Sequence, residues 1–66
     1  GMTGFVVVEV TVNAWTGDKT NKVVMQSESE LLCYRQALAL QRITENCDCG
    51  EDEIYYEVVS EEDFNV

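Results

Sequence analysis

Residues 4–15, GFVVVEVTVNAW, begin with an apolar, β-branched run and continue with apolar and polar positions that alternate with the two-residue period of a β-strand. The even-numbered positions share one face, which carries Val6, Val8, Val10 and Val12. The odd-numbered positions share the other, which carries Phe5, Val7, Glu9, Thr11 and Trp15. A run of β-branched residues is typical of a central strand, whose two faces are both partly covered. We therefore expect this segment at the centre of a sheet.

A two-residue turn at Gly17-Asp18 predicts a β-hairpin, because glycine adopts the positive φ of a type II′ turn without strain. With this turn, Val12 pairs with Val23 and Val10 pairs with Met25, so that all four apolar side chains share one face. A slip of one residue would send half of these side chains to the other face. The agreement between turn and pattern supports this register.

Residues 27–46, SESELLCYRQALALQRITEN, form the only segment that predicts a long helix. Ser27-x-x-Glu30 matches a capping box, and Asn46 suits the left-handed residue that ends many helices. At 100° per residue, an uncharged side is expected to pack on the sheet; it comprises Leu32, Cys33, Ala39, Leu40 and Ile43. The other side presents Leu31, Tyr34 and Leu38, at the i, i+3, i+7 spacing of a helix-pairing seam, flanked by Arg35 and Arg42.

Residues 54–59, IYYEVV, predict a third strand after a polar loop at 46–53, with Ile54, Tyr56 and Val58 on one face and Tyr55, Glu57 and Val59 on the other. The fold class is therefore a two-layer α+β domain, ββαβ, in which one helix covers one face of a three-stranded antiparallel sheet of order 2-1-3. Its crossover should be right-handed. The alternative order 1-2-3 leaves the valine-rich strand on an edge. A single domain spans residues 1–66, with Gly1 interpreted as a tag remnant and residues 60–66 as an acidic tail.

Two predicted surfaces carry more apolar side chains than a domain of this size can cover. The sheet face without the helix has Phe5, Val7, Trp15, Val24, Tyr55 and Val59, and the outer side of the helix has Leu31, Tyr34 and Leu38. Contiguous apolar surface on a small domain marks an interface. We therefore expect a homodimer or another homo-oligomer. In the alternative, the tail covers the sheet and Leu31 packs against the hairpin.

The net charge of −9, with no histidine, separates the classes of partner. Such a field repels phosphate backbones, which argues against binding to DNA or RNA. Acidity of this kind supports solubility; the alternative is an acidic inhibitor or nucleic-acid mimic that docks on a basic protein. No secretory leader and no run of about 18 apolar residues is visible. An odd number of cysteines fits a reducing compartment, and we expect a cytoplasmic protein.

No residue set predicts catalysis, a cofactor or a small-molecule substrate. Nucleophilic attack by serine or cysteine usually requires a base such as histidine, which is missing. Glu9 and Glu57 are expected side by side on the uncovered sheet face, without a pocket. Cys47 and Cys49 are the candidate metal ligands, and Cys33 lies too far along the helix to join them. The leading hypothesis is a non-enzymatic interaction module that self-associates, and a CxC metal-binding module is an alternative.

Overall fold

The computed structural model describes residues 4–46 and 50–64 and confirms the predicted α+β fold. Its elements are β1 (Phe5–Val12), β2 (Lys19–Ser27), α1 (Glu30–Asn46), β3 (Glu53–Ser60) and a short α2 (Glu61–Phe64). Both β2 and β3 pair antiparallel with β1, so the sheet order is β2-β1-β3. The valine-rich strand therefore lies in the centre, where both of its backbone edges are hydrogen-bonded.

The hairpin between β1 and β2 is wider than the predicted two-residue turn. Val12 pairs with Lys19 instead of Val23, so the predicted register is wrong by four residues. Residues 13–18 connect the strands, and within them the N–H of Gly17 donates to the carbonyl of Asn13 at 2.9 Å. Trp15 lies in this connection and not on the sheet.

The side chain of Asn13 explains why the chain leaves the strand early. Its Oδ1 accepts hydrogen bonds from the N–H groups of Trp15 at 2.8 Å and Thr16 at 3.0 Å. Asparagine side chains commonly hold turns in this way. The backbone of Asn13 also pairs with Asp18 at 2.8 Å, which closes the loop.

Gly17 is the position in this loop that depends on glycine, because its φ is 76°. Nothing lies within 4 Å of a Cβ built there, so a substitution is opposed by the backbone conformation alone. Gly17→Ala is expected to destabilise the fold by about 1 kcal/mol. Gly17→Asn should lose less, because asparagine tolerates the left-handed region. Urea unfolding midpoints test this; equal losses in the two variants would contradict the backbone explanation.

A β-bulge in β2 changes which of its side chains face the helix. Val7 pairs with Met25 and Val8 pairs with Val23, which leaves Val24 as the extra residue. Met25 consequently packs in the helix-facing cluster. Val23 lies opposite Val8 on the other face, so the predicted grouping of Val23 with Met25 is wrong.

The helix covers the odd-numbered face of β1, which is the reverse of the prediction. Val7 is fully buried with Cys33 and Ala37 of α1, and partly buried residues surround them: Phe5, Met25, Tyr56 and Val58. The predictions that Val7 and Phe5 lie on the uncovered face are therefore wrong. Both faces of β1 are apolar, so alternation separates them without deciding which one meets α1.

Side chains of β3 cover the even-numbered face of β1, on the side of the sheet away from α1. Val6, Val8 and Val10 are nearly inaccessible and form a cluster with Tyr55 and Val59 of the neighbouring strand β3. At one end of this face, the N–H of Glu61 in α2 donates to the carbonyl of Gly4 at 2.9 Å. Phe64 then borders a groove with Val6 and Val23. Residues 60–64, the described part of the acidic tail, therefore cover one end of this face.

α1 begins two residues later than the predicted capping box would place it. Ser29 Oγ accepts the N–H of Leu32 at 3.3 Å, so Ser29 caps the helix. Ser27 Oγ instead accepts the N–H of Ser29 at 3.1 Å, within the short connection from β2. The cap therefore uses Ser29, and Ser27 stabilises the connection.

Small side chains attach α1 to the sheet. Cys33 and Ala37 are its buried residues, and they lie one turn apart. Cys33 Sγ lies 3.7 Å from the carbonyl oxygen of Phe5, to which it donates a weak hydrogen bond. Three members of the predicted sheet-facing side are exposed, so that part of the prediction is wrong; they are Leu32, Ala39 and Ile43. The small side chains of Cys33 and Ala37 let the helix approach the sheet closely. The larger side chains lie on either side of this contact and remain exposed.

A chain of hydroxyl groups links the second half of α1 to the sheet. The Tyr56 hydroxyl donates to Glu9 Oε2 at 2.9 Å and lies 3.2 Å from Thr44 Oγ1. Glu9 therefore lies on the helix-facing side, next to Tyr56 in the register. Glu57 pairs with Val8 on the opposite face, so the predicted side-by-side arrangement of Glu9 and Glu57 is wrong.

Tyr56→Phe is expected to destabilise the fold by about 1–2 kcal/mol, because it removes a hydrogen bond to a half-buried carboxylate. Tyr55→Phe makes the same chemical change on the opposite face of β3 and is the matched control. Chemical unfolding of both variants measures the difference. Equal effects would show that the Tyr56 hydroxyl does not stabilise the packing of α1.

Candidate interaction site

Five large apolar side chains of α1 are at least half exposed, although the helix belongs to a two-layer fold. They are Leu31 (63%), Leu32 (51%), Tyr34 (51%), Leu38 (64%) and Ile43 (65%). Single exposed leucines are ordinary on protein surfaces. Five on one 17-residue helix are a concentration that favours an interface.

The exposed residues divide between two sides of the helix. Tyr34 and Leu38 lie towards β3, where they border a groove of about 180 Å³ with Ala37, Gln41, Tyr56 and Val58. We call Leu31, Tyr34 and Leu38 the β3 flank. The helical period puts a second set on the other side of the buried Cys33–Ala37 stripe, towards β2. This β2 flank consists of Leu32, Gln36, Ala39 and Ile43.

The β2 flank carries no charge, and its spacing is that of a helix-pairing seam. Its members follow one another at intervals of four, three and four residues, as the core positions of paired helices do. Leu32 and Ile43 lie equally far from the midpoint of the set, and so do Gln36 and Ala39. The flank therefore has a large apolar residue at each end, in either direction along the helix, with Gln36 and Ala39 between them.

Basic and acidic side chains are unevenly distributed over the molecule. The four basic residues are Lys19 and Lys22 on β2 and Arg35 and Arg42 on α1. Most acidic residues follow Arg42 in the chain, in the region that contains β3 and α2. β3 and the two residues before it carry four carboxylates, whereas both lysines lie on β2. Glu61 of α2 instead accepts a hydrogen bond from Gln26 of β2.

The predicted interface residues do not form one surface. Leu31, Tyr34 and Leu38 are exposed on α1 as expected, and Trp15 is exposed at the tip of the hairpin. Tyr55 and Val59 are half-buried, because they cover the even-numbered valines of β1. The structure thus brings together the helical members of the predicted set and separates them from the others.

The sequence pattern assigns most of the β2 flank to the core, because this side of the helix carries no charge. The informative signal lies in residue size: Cys33 and Ala37, four residues apart, are small side chains that permit close helix–sheet contact. Leucine at 32 and isoleucine at 43 lie outside that narrow stripe. Size along the helix therefore indicates the buried stripe better than hydropathy does.

The predicted metal ligands, Cys47 and Cys49, lie outside the described residues. Within residues 4–46 and 50–64, no group of three or more histidine, cysteine or carboxylate side chains could hold a metal ion. Over the same ranges, no helix combines the length and apolar character needed to cross a membrane.

No family model matches the chain, and no curated protein or solved structure shows significant similarity to it.

Proposed function

We propose that this protein is a non-enzymatic interaction module that forms a homodimer through the β2 flank of α1. The observation that carries the proposal is the attachment of α1 to the sheet through Cys33 and Ala37, which leaves the larger apolar side chains exposed on both flanks. A domain of 66 residues buries only about 60% of the surface that its unfolded chain exposes, and association commonly stabilises chains of this size. Burial of Leu32 and Ile43 in a dimer would supply that missing contact.

A second copy fits the β2 flank because the flank is self-complementary. A two-fold axis relates identical patches, so each residue must find its counterpart on the same flank of the other copy. In an antiparallel helix pair centred between Ala37 and Leu38, Leu32 of each copy meets Ile43 of the other. Gln36 meets Ala39 near the axis, where the small alanine permits close approach.

Electrostatics favours this flank over the rest of the surface. Two copies with a net charge of −9 each repel one another. They approach at least cost through a surface that carries no carboxylate, and the β2 flank meets that condition. The β3 flank lies beside the acidic strand and is less suited to contact between identical chains.

Ile43→Glu is expected to convert the dimer to a monomer without unfolding the domain, because the side chain at 43 is 65% exposed. The substitution would place two carboxylates in the proposed contact, one from each copy. Leu38→Glu adds the same charge at a similarly exposed position on the β3 flank and should leave the dimer intact. Sedimentation velocity over a micromolar concentration series, with circular dichroism as a folding control, gives the result. A monomeric parent protein, or dissociation by Leu38→Glu alone, would overturn the proposal.

Salt is expected to strengthen the dimer. Raising sodium chloride from about 50 mM to about 500 mM shortens the screening length severalfold and weakens repulsion between the two acidic chains. The apolar contact itself is not weakened by this change. The dissociation constant should therefore fall as salt rises. A constant that rises with salt would indicate an interface made of ion pairs and would contradict an uncharged contact.

Two further predictions from the sequence belong to this proposal. We place the module in the cytoplasm, because a reducing compartment suits an odd set of cysteines of which Cys33 is a buried free thiol. Metal binding by Cys47 and Cys49 is the alternative role. Zinc, iron or copper at one equivalent per chain or per dimer, in protein purified without chelator, would support it.

A further inference from the structure

We propose that the free edge of β3 binds an extended basic segment of a partner protein, which adds to the sheet as a fourth strand. This inference concerns the β3 side of the molecule and does not depend on the dimer formed by the β2 flank. It is drawn from three features that meet along β3: an edge position in the sheet, an apolar groove on one face, and carboxylates on the other.

The edge position supplies the backbone partner. Among residues 4–46 and 50–64, β3 (Glu53–Ser60) pairs with β1 along one side and has no strand on the other, since the sheet order is β2-β1-β3. The outer side of an edge strand presents N–H and C=O groups to an incoming chain. An added strand gains affinity from these hydrogen bonds and specificity from the side chains on its two faces.

The helix-facing side of this edge supplies apolar contact. Tyr34 and Leu38 of α1 overhang Tyr56 and Val58 of β3, and together they border the groove of about 180 Å³. A strand laid along β3 would direct every second side chain towards this groove. Valine, isoleucine or leucine at those positions would cover the exposed side chain of Leu38.

The opposite face supplies charge. Glu53 and Glu57 alternate with Tyr55 and Val59 on the side of β3 away from the helix, as their partners on β1 show: Glu53 pairs with Val12 and Glu57 with Val8. Both glutamates are exposed. The remaining side chains of an added strand would lie beside them, which selects lysine or arginine at those positions.

The surrounding field selects the same partner. No basic residue follows Arg42 in the sequence, and four acidic residues lie in β3 or immediately before it; they are Glu51, Asp52, Glu53 and Glu57. A basic segment is attracted to this end of the sheet, and an acidic or phosphate-bearing ligand is repelled. The chemistry therefore defines an occupant in which basic and apolar residues alternate.

A second copy of this chain fits the β3 edge less well. Its own β3 carries the same carboxylates and is repelled. Its β2 offers Lys19 and Lys22, but these lysines fall on opposite faces of the strand, since Lys19 pairs with Val12 and Lys22 pairs with Glu9. β2 therefore cannot place both lysines beside Glu53 and Glu57.

The test uses a fluorescent eight-residue peptide of alternating lysine and valine, with the full-length protein titrated in fluorescence anisotropy. Three peptides of the same length serve as controls: alternating glutamate and valine, four lysines followed by four valines, and the lysine–valine sequence with every backbone nitrogen methylated. Saturable binding of the first peptide, at least tenfold tighter than that of each control, supports strand addition. Equal binding of the block or the methylated peptide would overturn it. The block peptide cannot present valine to one face and lysine to the other, and the fully methylated peptide has no backbone N–H to donate to β3.

Substitutions in the protein then locate the site. Glu53→Gln with Glu57→Gln is expected to weaken the lysine–valine peptide roughly three- to tenfold, whereas Asp18→Asn with Glu28→Gln changes the net charge equally and should have little effect. Leu38→Gln should weaken binding roughly five- to tenfold through the lost apolar contact. Equal losses in the two charge variants would overturn the assignment to β3.

The dimer variant separates this proposal from the preceding one. Ile43→Glu should bind the lysine–valine peptide as the parent protein does, whether or not the parent is a dimer. Loss of peptide binding in folded Ile43→Glu would overturn a site on the β3 side. Growth of the parent protein into open polymers that the peptide fails to dissociate would show that β2 of another copy occupies the edge, and would overturn the basic partner.

Discussion

Val7→Ala should lower the free energy of unfolding by about 2–3 kcal/mol, which is the largest loss expected from a single truncation in this domain. Val7 is completely buried between the central strand and α1, in contact with Cys33 and Ala37. Alanine removes two methyl groups and leaves a cavity that the small neighbouring side chains cannot fill. The core of a domain as small as 66 residues rarely supplies more than about 3–5 kcal/mol of stability, so the variant would lose a large part of its stability.

Leu38→Ala is the control for this prediction, because it removes more atoms from a side chain that is 64% exposed. We expect a loss within about 0.5 kcal/mol, the range of ordinary surface substitutions. Urea unfolding of both variants, followed by far-ultraviolet circular dichroism, gives the comparison. A larger loss for Leu38 than for Val7 would mean that the helix packs through its β3 flank, and the arrangement of the two layers would be wrong.

Ala37→Leu is expected to destabilise the domain by about 1–3 kcal/mol through overpacking. Ala37 lies at the contact between α1 and the sheet, next to Val7 and Val58. Alanine and leucine are both strong helix formers, so the substitution tests the space between the layers and hardly alters the helix itself. The added atoms would force α1 away from β1 or drive the leucine out of a favoured rotamer.

Ala39→Leu makes the same change two residues along the same helix, at an exposed position. It should leave the unfolding midpoint of the monomer nearly unchanged, provided that both variants are measured below the dissociation constant of the dimer. A destabilisation equal to that of Ala37→Leu would show that the side chain at 39 also packs against the sheet. The pair therefore measures directly which stripe of α1 is buried.

The order of elements could be predicted from the sequence because it rests on local patterns. The strand patterns in residues 4–15 and 54–59, the hairpin turn at Gly17-Asp18 and the long apolar segment after Ser27 predict three strands and a helix. The central place of β1 follows from its valines, which need neighbours on both sides. The structure confirms these predictions.

The face of each element was harder to predict, because it depends on contacts between segments. The bulge at Val24 reverses the direction of Met25, and the Asn13 side chain ends β1 before Trp15. Neither effect changes the hydropathy pattern that predicted the hairpin. Both faces of β1 are apolar, so the pattern does not distinguish Val7, which packs against the helix, from Val8, whose face packs with side chains of β3.

In the candidate interaction site too, the sequence predicts some of the exposed residues, and the tertiary structure decides the others. Leu31, Tyr34 and Leu38 were predicted to be exposed, and they are, because one helix cannot bury more than one stripe against a sheet. Leu32 and Ile43 were assigned to the core because the sequence shows only that their side of α1 is uncharged. The tertiary structure exposes them, since Cys33 and Ala37 allow a closer approach and dispersion contacts favour the closest packing available.

The sequence by itself therefore determined the elements, their order and the excess of apolar surface, all of which follow from residue spacing. Only the tertiary structure decided where that surface lies. The choice between the stripe of Cys33 and Ala37 and the stripe of Leu32 and Ile43 depends on how closely two layers can approach. That distance is set by side-chain volume across the interface between helix and sheet, and a linear pattern of polarity does not contain it.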